Sequence, residues 1–493
     1  MDIFILLLIS LFVYLIPKTD VDYLSNKSTK SLKGLLALLI IFHHISQKIT
    51  TGENFSNFEY MGRYIVALFF FLSGYGLYFQ YSNNSIYMEN FLKKRLVRIF
   101  IPFFIFIVIY VIYRATLGEV VNVDFFLSFW KDHSNIIYNG WFINSIIVLY
   151  VIFYVSFVRK DSKIAEYKLV FLTLVYIFWK AYQNHGDWEY VSIMAFLLGV
   201  FWMKNRVYID KFLEKNYFIF LVSFSILMYV FRHYEVIMKN IGITNKYVYY
   251  GIVGNICTMV FVVYFLLLTN KLNFSNKYLG FLGEISFEIY MIHGLVMHYL
   301  GKFFVSSDVN DVLYTIVILF VSIVSAYYIK KLISIDSPTG FTREISTYLI
   351  EEIEKLGYKA IRGNKGGVNV VVEGENDKKH RIVTAHVDTL GAIVRAIKSD
   401  GRLKIAQIGG YPWNMIEGEN CEVHVASNNK KISGTILVHQ TSIHVYRDAG
   451  TVERTQDNME IRLDAKVNSA EDVRSLGIDV GDFISFDPRT IVT

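Results

Sequence analysis

Cysteine is nearly missing. Two occur in 493 residues, Cys257 in an apolar run and Cys421 in a polar one, so neither a disulfide framework nor a cysteine-based zinc site is available. Strong charge of either sign is missing too. The formal net charge of +6 is small for this length, and most Lys and Arg lie between apolar runs, so nothing points to nucleic acid as a partner. Residues 2–16 are apolar but lack a basic start and a small-residue cleavage site, which favours a retained span over a signal peptide. Aromatics are scarce in one part only: of 40 Phe, 35 Tyr and 6 Trp, just eight follow Ser334. Two different solvents shaped the two parts of the chain.

What is present is apolar. A hydrophobic content of 54% marks a membrane protein with a polar segment attached. Apolar stretches fall at 2–16, 34–50, 62–82, 97–115, 137–158, 167–183, 188–203, 217–232, 247–270, 279–300 and 311–329. The expected fold is a multi-span α-helical membrane bundle of about ten to eleven transmembrane helices over residues 1–330. A cytosolic α/β segment with an inserted β-barrel-like domain is expected over 331–493. Alternate loops hold the cations, among them Lys27, Lys30, Lys93, Lys94, Arg159, Lys204, Lys211 and Lys271. Cations accumulate on the cytoplasmic side, which places the N-terminus outside a multi-pass plasma-membrane protein and the polar segment inside.

The stretch SLKGLLALLIIFHHISQKI, residues 31–49, carries a cation near its start and two histidines near its end. Lys33 and His44 are eleven residues apart, close to three helical turns, so both leave one face about 16 Å apart. Ionisable groups inside a span are costly and mark a pathway or site by default. The residues alone equally allow a Lys33 that snorkels to the surface and a His44 that packs. His43 points about 100° away, toward packing. Arg95 and Arg98 are neighbours on one helical face, suited to phosphates but also explained by the positive-inside rule. Ser286, Tyr290 and His293 share a face, as a cavity lining or a hydrogen-bonding seam between helices.

Four local patterns then converge. K33-G-L-L-A-L-L-I-I-F-H-H44, FFFLSGYGL at 69–77, FLKKRLVRIFIP at 91–102, and Trp141-Phe142 with LGEISFEIYMIHG at 282–294 occur in the order and spacing of one family. Over roughly residues 29–330 the chain resembles the acyltransferase-3 family, membrane enzymes that O-acylate cell-surface polymers or small acceptors. The resemblance implies acyl-coenzyme A as donor, with its nucleotide end held by Lys33, Arg95 and Arg98. No tightly bound cofactor is implied. His44 is the implied catalytic base for a hydroxyl of a cell-surface glycan or similar acceptor, which needs one near neutral pH. Ser73, Trp141, Ser286, Tyr290 and His293 are the further implied substrate-binding positions. Lys33 stands where the family more often has Arg, and the Glu some members carry after the Trp-Phe pair is absent.

From Asp336 the pattern changes. Residues 337–360 read as a helix with a Gly357 stop, and VNVVVEG, RIVTAHVD, LGAIVRAI, CEVHVAS and KISGTILVH read as strands. SPTGF at 337–341, AHVDTLGAIV at 385–394 and GIDVGDFISFDP at 477–488 resemble the M42 metallo-aminopeptidases over about 332–493. That resemblance makes His386 a remnant metal ligand and Asp388 a residue beside the metal, on one side of a strand. The family's other ligands are expected beyond Thr493; one ligand does not hold zinc, so neither bound zinc nor peptidase activity is expected. No Gly/Ser/Pro linker separates the parts, which suggests two reading frames joined near 326–333. The leading expectation is therefore a membrane acyltransferase transferring an acyl group, acetyl in the simplest case, fused to a truncated peptidase segment. The alternatives are a zinc-dependent M42 aminopeptidase tethered to a membrane domain and a non-catalytic membrane transporter, for which internal repeats are lacking.

Overall fold

The computed structural model describes residues 3–17, 21–47, 58–83, 87–88, 91–126, 136–159, 162–242, 245–304, 311–374, 382–442 and 444–486, with the side chains of Lys93, Lys94 and Arg98 among those outside the description. Residues 1–330 form one unit and 331–490 a second.

The first unit is helical. Its elements are α1 (Ile3–Leu15), α2 (Asn26–Ser46), α3 (Gly62–Asn83), α4 (Phe91–Thr116), α5 (Trp141–Phe157), α6 (Ser162–Tyr182), α7 (Met194–Lys204), α8 (Arg206–Arg232), α9 (Tyr234–Asn240), α10 (Lys246–Thr269), α11 (Lys277–Glu284), α12 (Ser286–Phe304) and α13 (Asp311–Ser334). Each of the eleven apolar stretches overlaps one of these helices. Among the described residues, α3, α8, α10 and α13 are long and apolar enough to cross a membrane, and α11 with α12 makes a fifth if the bent pair is one span.

The core is built from aromatic rings: Phe70, Phe71, Phe106, Tyr110, Phe153, Phe157 and Phe196 are all fully buried. Close helix packing then depends on small residues. A methyl group on Gly74 would collide with the Phe196 carbonyl, and one on Gly199 with the Phe71 carbonyl, so α3 and α7 touch backbone to backbone. The Ser-Gly pair of α3 is thus a packing device at its second residue. In the same way Gly34 of α2 meets the Leu279 carbonyl and Gly283 of α11 meets the Lys30 carbonyl.

One stretch differs from its sequence reading. Residues 279–300 read as a single span, yet the helix breaks at Ile285 (φ −105°, ψ 12°) and turns by 71°. No proline is involved. The Ser286 hydroxyl donates to the Gly283 carbonyl at 2.9 Å, satisfying an acceptor at the break. Ion pairs fix both sides of it, Lys30 with Glu284 and Lys330 with Glu288 at 3.3 Å.

In the second unit α14 (Arg343–Lys355) buries Ile345 and Tyr348 and is followed by Gly357 at φ 86°, a left-handed position that glycine adopts without strain. A two-stranded antiparallel sheet follows, β1 (Ala360–Arg362) with β2 (Val368–Val370). The remaining strands are β3 (Gly391–Ile397), β4 (Leu403–Ile408), β5 (Asn420–Val425), β6 (Lys430–Val438), β7 (Met459–Leu463) and β8 (Phe483–Phe486). They close a barrel in the order β3-β4-β7-β6-β5-β8. A short helix, α15 (Ala470–Ser475), precedes the last strand. Ala392, Leu403, Ile405, Val423, Ile436, Ile461 and Ile484 fill the barrel interior by the two-residue alternation of each strand. In RIVTAHVD, by contrast, the described residues 382–388 form no strand and are irregular, with Ile382 and Val383 exposed, while Arg381 lies outside the described residues. A β-pattern without a neighbour has no ladder to join; the nearest pairing is a single bridge between Pro338 and Thr389.

Candidate active site

The site is organised by α2. Ser25 caps its start by accepting the Ser28 backbone N–H, and the buried stripe of Leu36, Ala37, Ile40 and Ile41 holds it in the core. Lys33 lies on the buried side, 9% exposed, within electrostatic range of Arg95, which is 8% exposed. Arg95 comes from α4. Its Nε and Nη2 donate to the Tyr87 hydroxyl at 2.9 and 2.6 Å, which fixes the plane of the guanidinium. Two buried cations of this kind form a locus for an anion. Arg98 is on the same helix, and its side chain lies outside the described residues.

At the other end of α2 the imidazole of His44 stacks on that of His293 from α12, with centroids 5.2 Å apart and planes inclined by 24°. His293 is fully buried. Its Nδ1 lies 3.1 Å from the Ile289 carbonyl, so the proton is on Nδ1, and Nε2 has no hydrogen-bond partner among the described residues. Tyr290 lies beside it, ring centroids 5.9 Å apart, and donates its hydroxyl to the Asn139 carbonyl. Asn139 adopts φ 63°, which turns the chain just before α5. His44 Nδ1 is 3.1 Å from Gln47 Oε1, and His43 Nδ1 is 3.0 Å from the Phe58 carbonyl.

The residues singled out in the sequence therefore divide. Lys33 and Arg95 come together at one end of α2, and His44, His293 and Tyr290 come together at the other. Ser73 instead hydrogen-bonds the Tyr150 hydroxyl at 3.1 Å and ties α3 to α5. Ser286 is engaged at the helix break. Trp141 meets Phe142, and Phe142 is the ring that packs edge-on against Tyr290 at 5.6 Å. Sequence reasoning named Phe142 only as part of a motif, with no role of its own, and missed Tyr87 and Gln47, although Gln47 stands three and four residues after the two histidines, the spacing of neighbours on a helix. It also missed a buried ion pair, Lys180 Nζ to Glu189 Oε2 at 2.5 Å, joined by His185 at 3.1 Å. Glu189 lies within electrostatic range of Tyr290.

In the second unit His386 Nδ1 lies 3.2 Å from Asp388 Oδ1, and the imidazole is 87% exposed. The Thr339 hydroxyl, 2.5 Å from Asp388 Oδ2, holds that carboxyl below the usual carboxylate range. Among the described residues, no three His, Cys, Asp or Glu side chains gather as a metal site.

Comparison with known proteins places both parts. The family model described as an acyltransferase domain matches residues 26–331, more than half of the chain, and the chain belongs to that family. It is a membrane acyltransferase in class. A second model, M42 glutamyl aminopeptidase, matches residues 366–493. In this second part the chain is similar to YhfE of Bacillus subtilis (strain 168), which carries a provisional aminopeptidase name, at 53% identity over 165 residues, 34% of this chain and 47% of that protein. It is also similar to the glutamyl aminopeptidase of Lactococcus lactis subsp. cremoris (strain MG1363), at 26% identity over 166 residues, 34% of this chain and 46% of that one. The chain thus spans about half the length of these curated relatives. A solved TET aminopeptidase from the marine sediment archaeon Thaumarchaeota archaeon SCGC AB-539-E09 aligns at 24% identity over 32% of this chain and 43% of that chain, with a TM-score of 0.30.

Proposed function

We propose that the chain moves an acyl group, acetyl in the simplest case, from acyl-coenzyme A to a hydroxyl of a cell-surface carbohydrate or similar acceptor. One observation carries this reading: α2 bears Lys33, buried in electrostatic range of the buried Arg95 of α4, toward one end and His44, stacked on His293 of α12, at the other. The cations suit the phosphates of a coenzyme A and the imidazole suits a general base.

In the proposed step the acceptor hydroxyl gives its proton to His44 Nε2 while its oxygen bonds to the thioester carbonyl carbon. The C–S bond then breaks, and the departing thiolate takes the proton back as coenzyme A thiol. Loop charge supports an orientation in the plasma membrane with the N-terminus outside, the cations on the cytoplasmic side and the polar segment, 331–493, in the cytoplasm. The testing experiment is transfer of label from labelled acetyl-CoA in membranes bearing the chain or its His44→Ala variant. Label reaching the acceptor fraction equally well in both would end this reading.

The second unit is read as a peptidase-like segment without catalysis of its own. His386 and Asp388 form a hydrogen-bonded pair that is too small a donor set for zinc. Metal analysis of the purified full chain is the check, and stoichiometric tightly held zinc would reverse the reading.

A further inference from the structure

We propose that Gln47 is a positioning residue that fixes the tautomer of His44, through a relay anchored on His43. The inference rests on the reading of His44 as the base. The Phe58 carbonyl oxygen only accepts, so His43 Nδ1, 3.0 Å away, carries a proton. A neutral His43 then presents Nε2 as an acceptor. The Gln47 amide nitrogen lies 3.4 Å from it and only donates, which sets the amide with its oxygen toward His44. That oxygen only accepts, so His44 Nδ1, 3.1 Å away, holds the proton and His44 Nε2 holds the lone pair.

The anchor is itself seated by shape. A methyl group on Gly62 of α3 would collide with the His43 ring, so the imidazole lies against bare backbone there. The relay spans i, i+3 and i, i+4 positions at the end of α2, a spacing at which one side chain neighbours both rings. When His44 becomes an imidazolium during transfer, the Gln47 oxygen already faces its Nδ1–H. No reorganisation is needed at that moment. His43 thereby acquires a task distinct from that of His44: it orients the amide that orients the base.

Two readouts test this on the full chain in lipid. In protein labelled with ¹⁵N-histidine, the ring signals of His44, assigned by their loss in His44→Ala, show Nδ1 protonated and Nε2 unprotonated; Gln47→Leu moves the proton toward Nε2. In membranes given labelled acetyl-CoA, Gln47→Leu lowers kcat at least about tenfold with little change in donor KM, a part of the roughly 10²–10⁴ that a positioned acid–base group supplies. Gln47→Glu keeps an acceptor oxygen and restores most of the rate. A wild-type His44 protonated on Nε2 overturns the proposal, as does a Gln47→Leu variant in which either the spectrum or kcat is unchanged. If His44→Ala transfers normally, the base assignment fails and the kinetic role of Gln47 falls with it, whereas a silent Gln47→Leu beside a dead His44→Ala removes the relay alone.

Discussion

His44 and His293 lie ring on ring, 5.2 Å between centroids, although one comes from α2 and the other from α12, about 250 residues further along the chain. The stack joins a partly exposed imidazole to a fully buried one whose Nε2 lone pair has no hydrogen-bond partner among the described residues. Replacing His44 by Ala is expected to lower transfer by roughly 10²–10⁴, the worth of a general base. His293→Phe keeps the stacking surface and removes the nitrogens; a tenfold or greater loss in initial rate, with unchanged thermal stability in detergent, would assign that nitrogen to the reaction rather than to packing.

The cation pair makes a different prediction. Lys33→Ala and Arg95→Ala should each raise the KM for acetyl-CoA by about 10- to 100-fold, the worth of one hydrogen bond to a charged group, while kcat falls less. Tyr87→Phe should reproduce part of the Arg95 effect, because it removes the hydroxyl on which Nε and Nη2 are held. Steady-state kinetics at varied donor concentration separates these outcomes.

Gly283 and Gly280 provide a matched pair on α11. A Cβ at Gly283 collides with the Lys30 carbonyl, whereas one at Gly280 meets the Ser31 hydroxyl at an ordinary 3.8 Å. Gly283→Ala should therefore destabilise the unit by about 1–3 kcal/mol through overpacking, and Gly280→Ala should be close to neutral. Thermal unfolding in one detergent, with both variants side by side, reads the difference.

Acid lability is expected in the barrel. Burial alone would raise the Glu460 carboxyl, but Lys398 at 2.7 Å, Arg402 and His439 at 3.3 Å outweigh it and hold the group below its ordinary 4.5. A depressed carboxylate adds stability that is complete above about 4.5, the unfolded value, and is lost as pH falls through the lower folded value. Hydrogen exchange of β4 and β7 amides, corrected for intrinsic rate, should accelerate over that acid window in the native chain. The dependence should be flattened in Glu460→Gln, which is itself less stable at neutral pH by about 1–3 kcal/mol.

Much of this architecture is readable from residue order. A long apolar period makes α2 visible, and the i, i+11 spacing puts Lys33 and His44 on one stripe whatever surrounds them. Alternation makes β3, β5 and β6 visible because each has one face in the barrel. What is hidden depends on neighbours distant in the chain. Nothing local at Ile285 announces a 71° turn, and the close seating of Gly283 on the Lys30 carbonyl, two residues before it, involves a partner far away in the chain. Ser73 and Ser286 carry family-pattern positions, yet their hydroxyls are committed to Tyr150 and to a backbone carbonyl. RIVTAHVD has the alternation of a strand, but a strand exists only where another lies beside it. Lys180 reads as an ordinary helix-end cation until Glu189 folds back onto it.

The backbone-to-backbone contacts at Gly34, Gly74, Gly199 and Gly283 have a consequence for anyone who surveys variants of this protein. In a saturation library these four positions would tolerate as little change as the histidines, and a profile of permitted substitutions would not tell the two groups apart. Only a folding readout taken beside a turnover readout would sort them, with the glycines failing both and the imidazoles failing one.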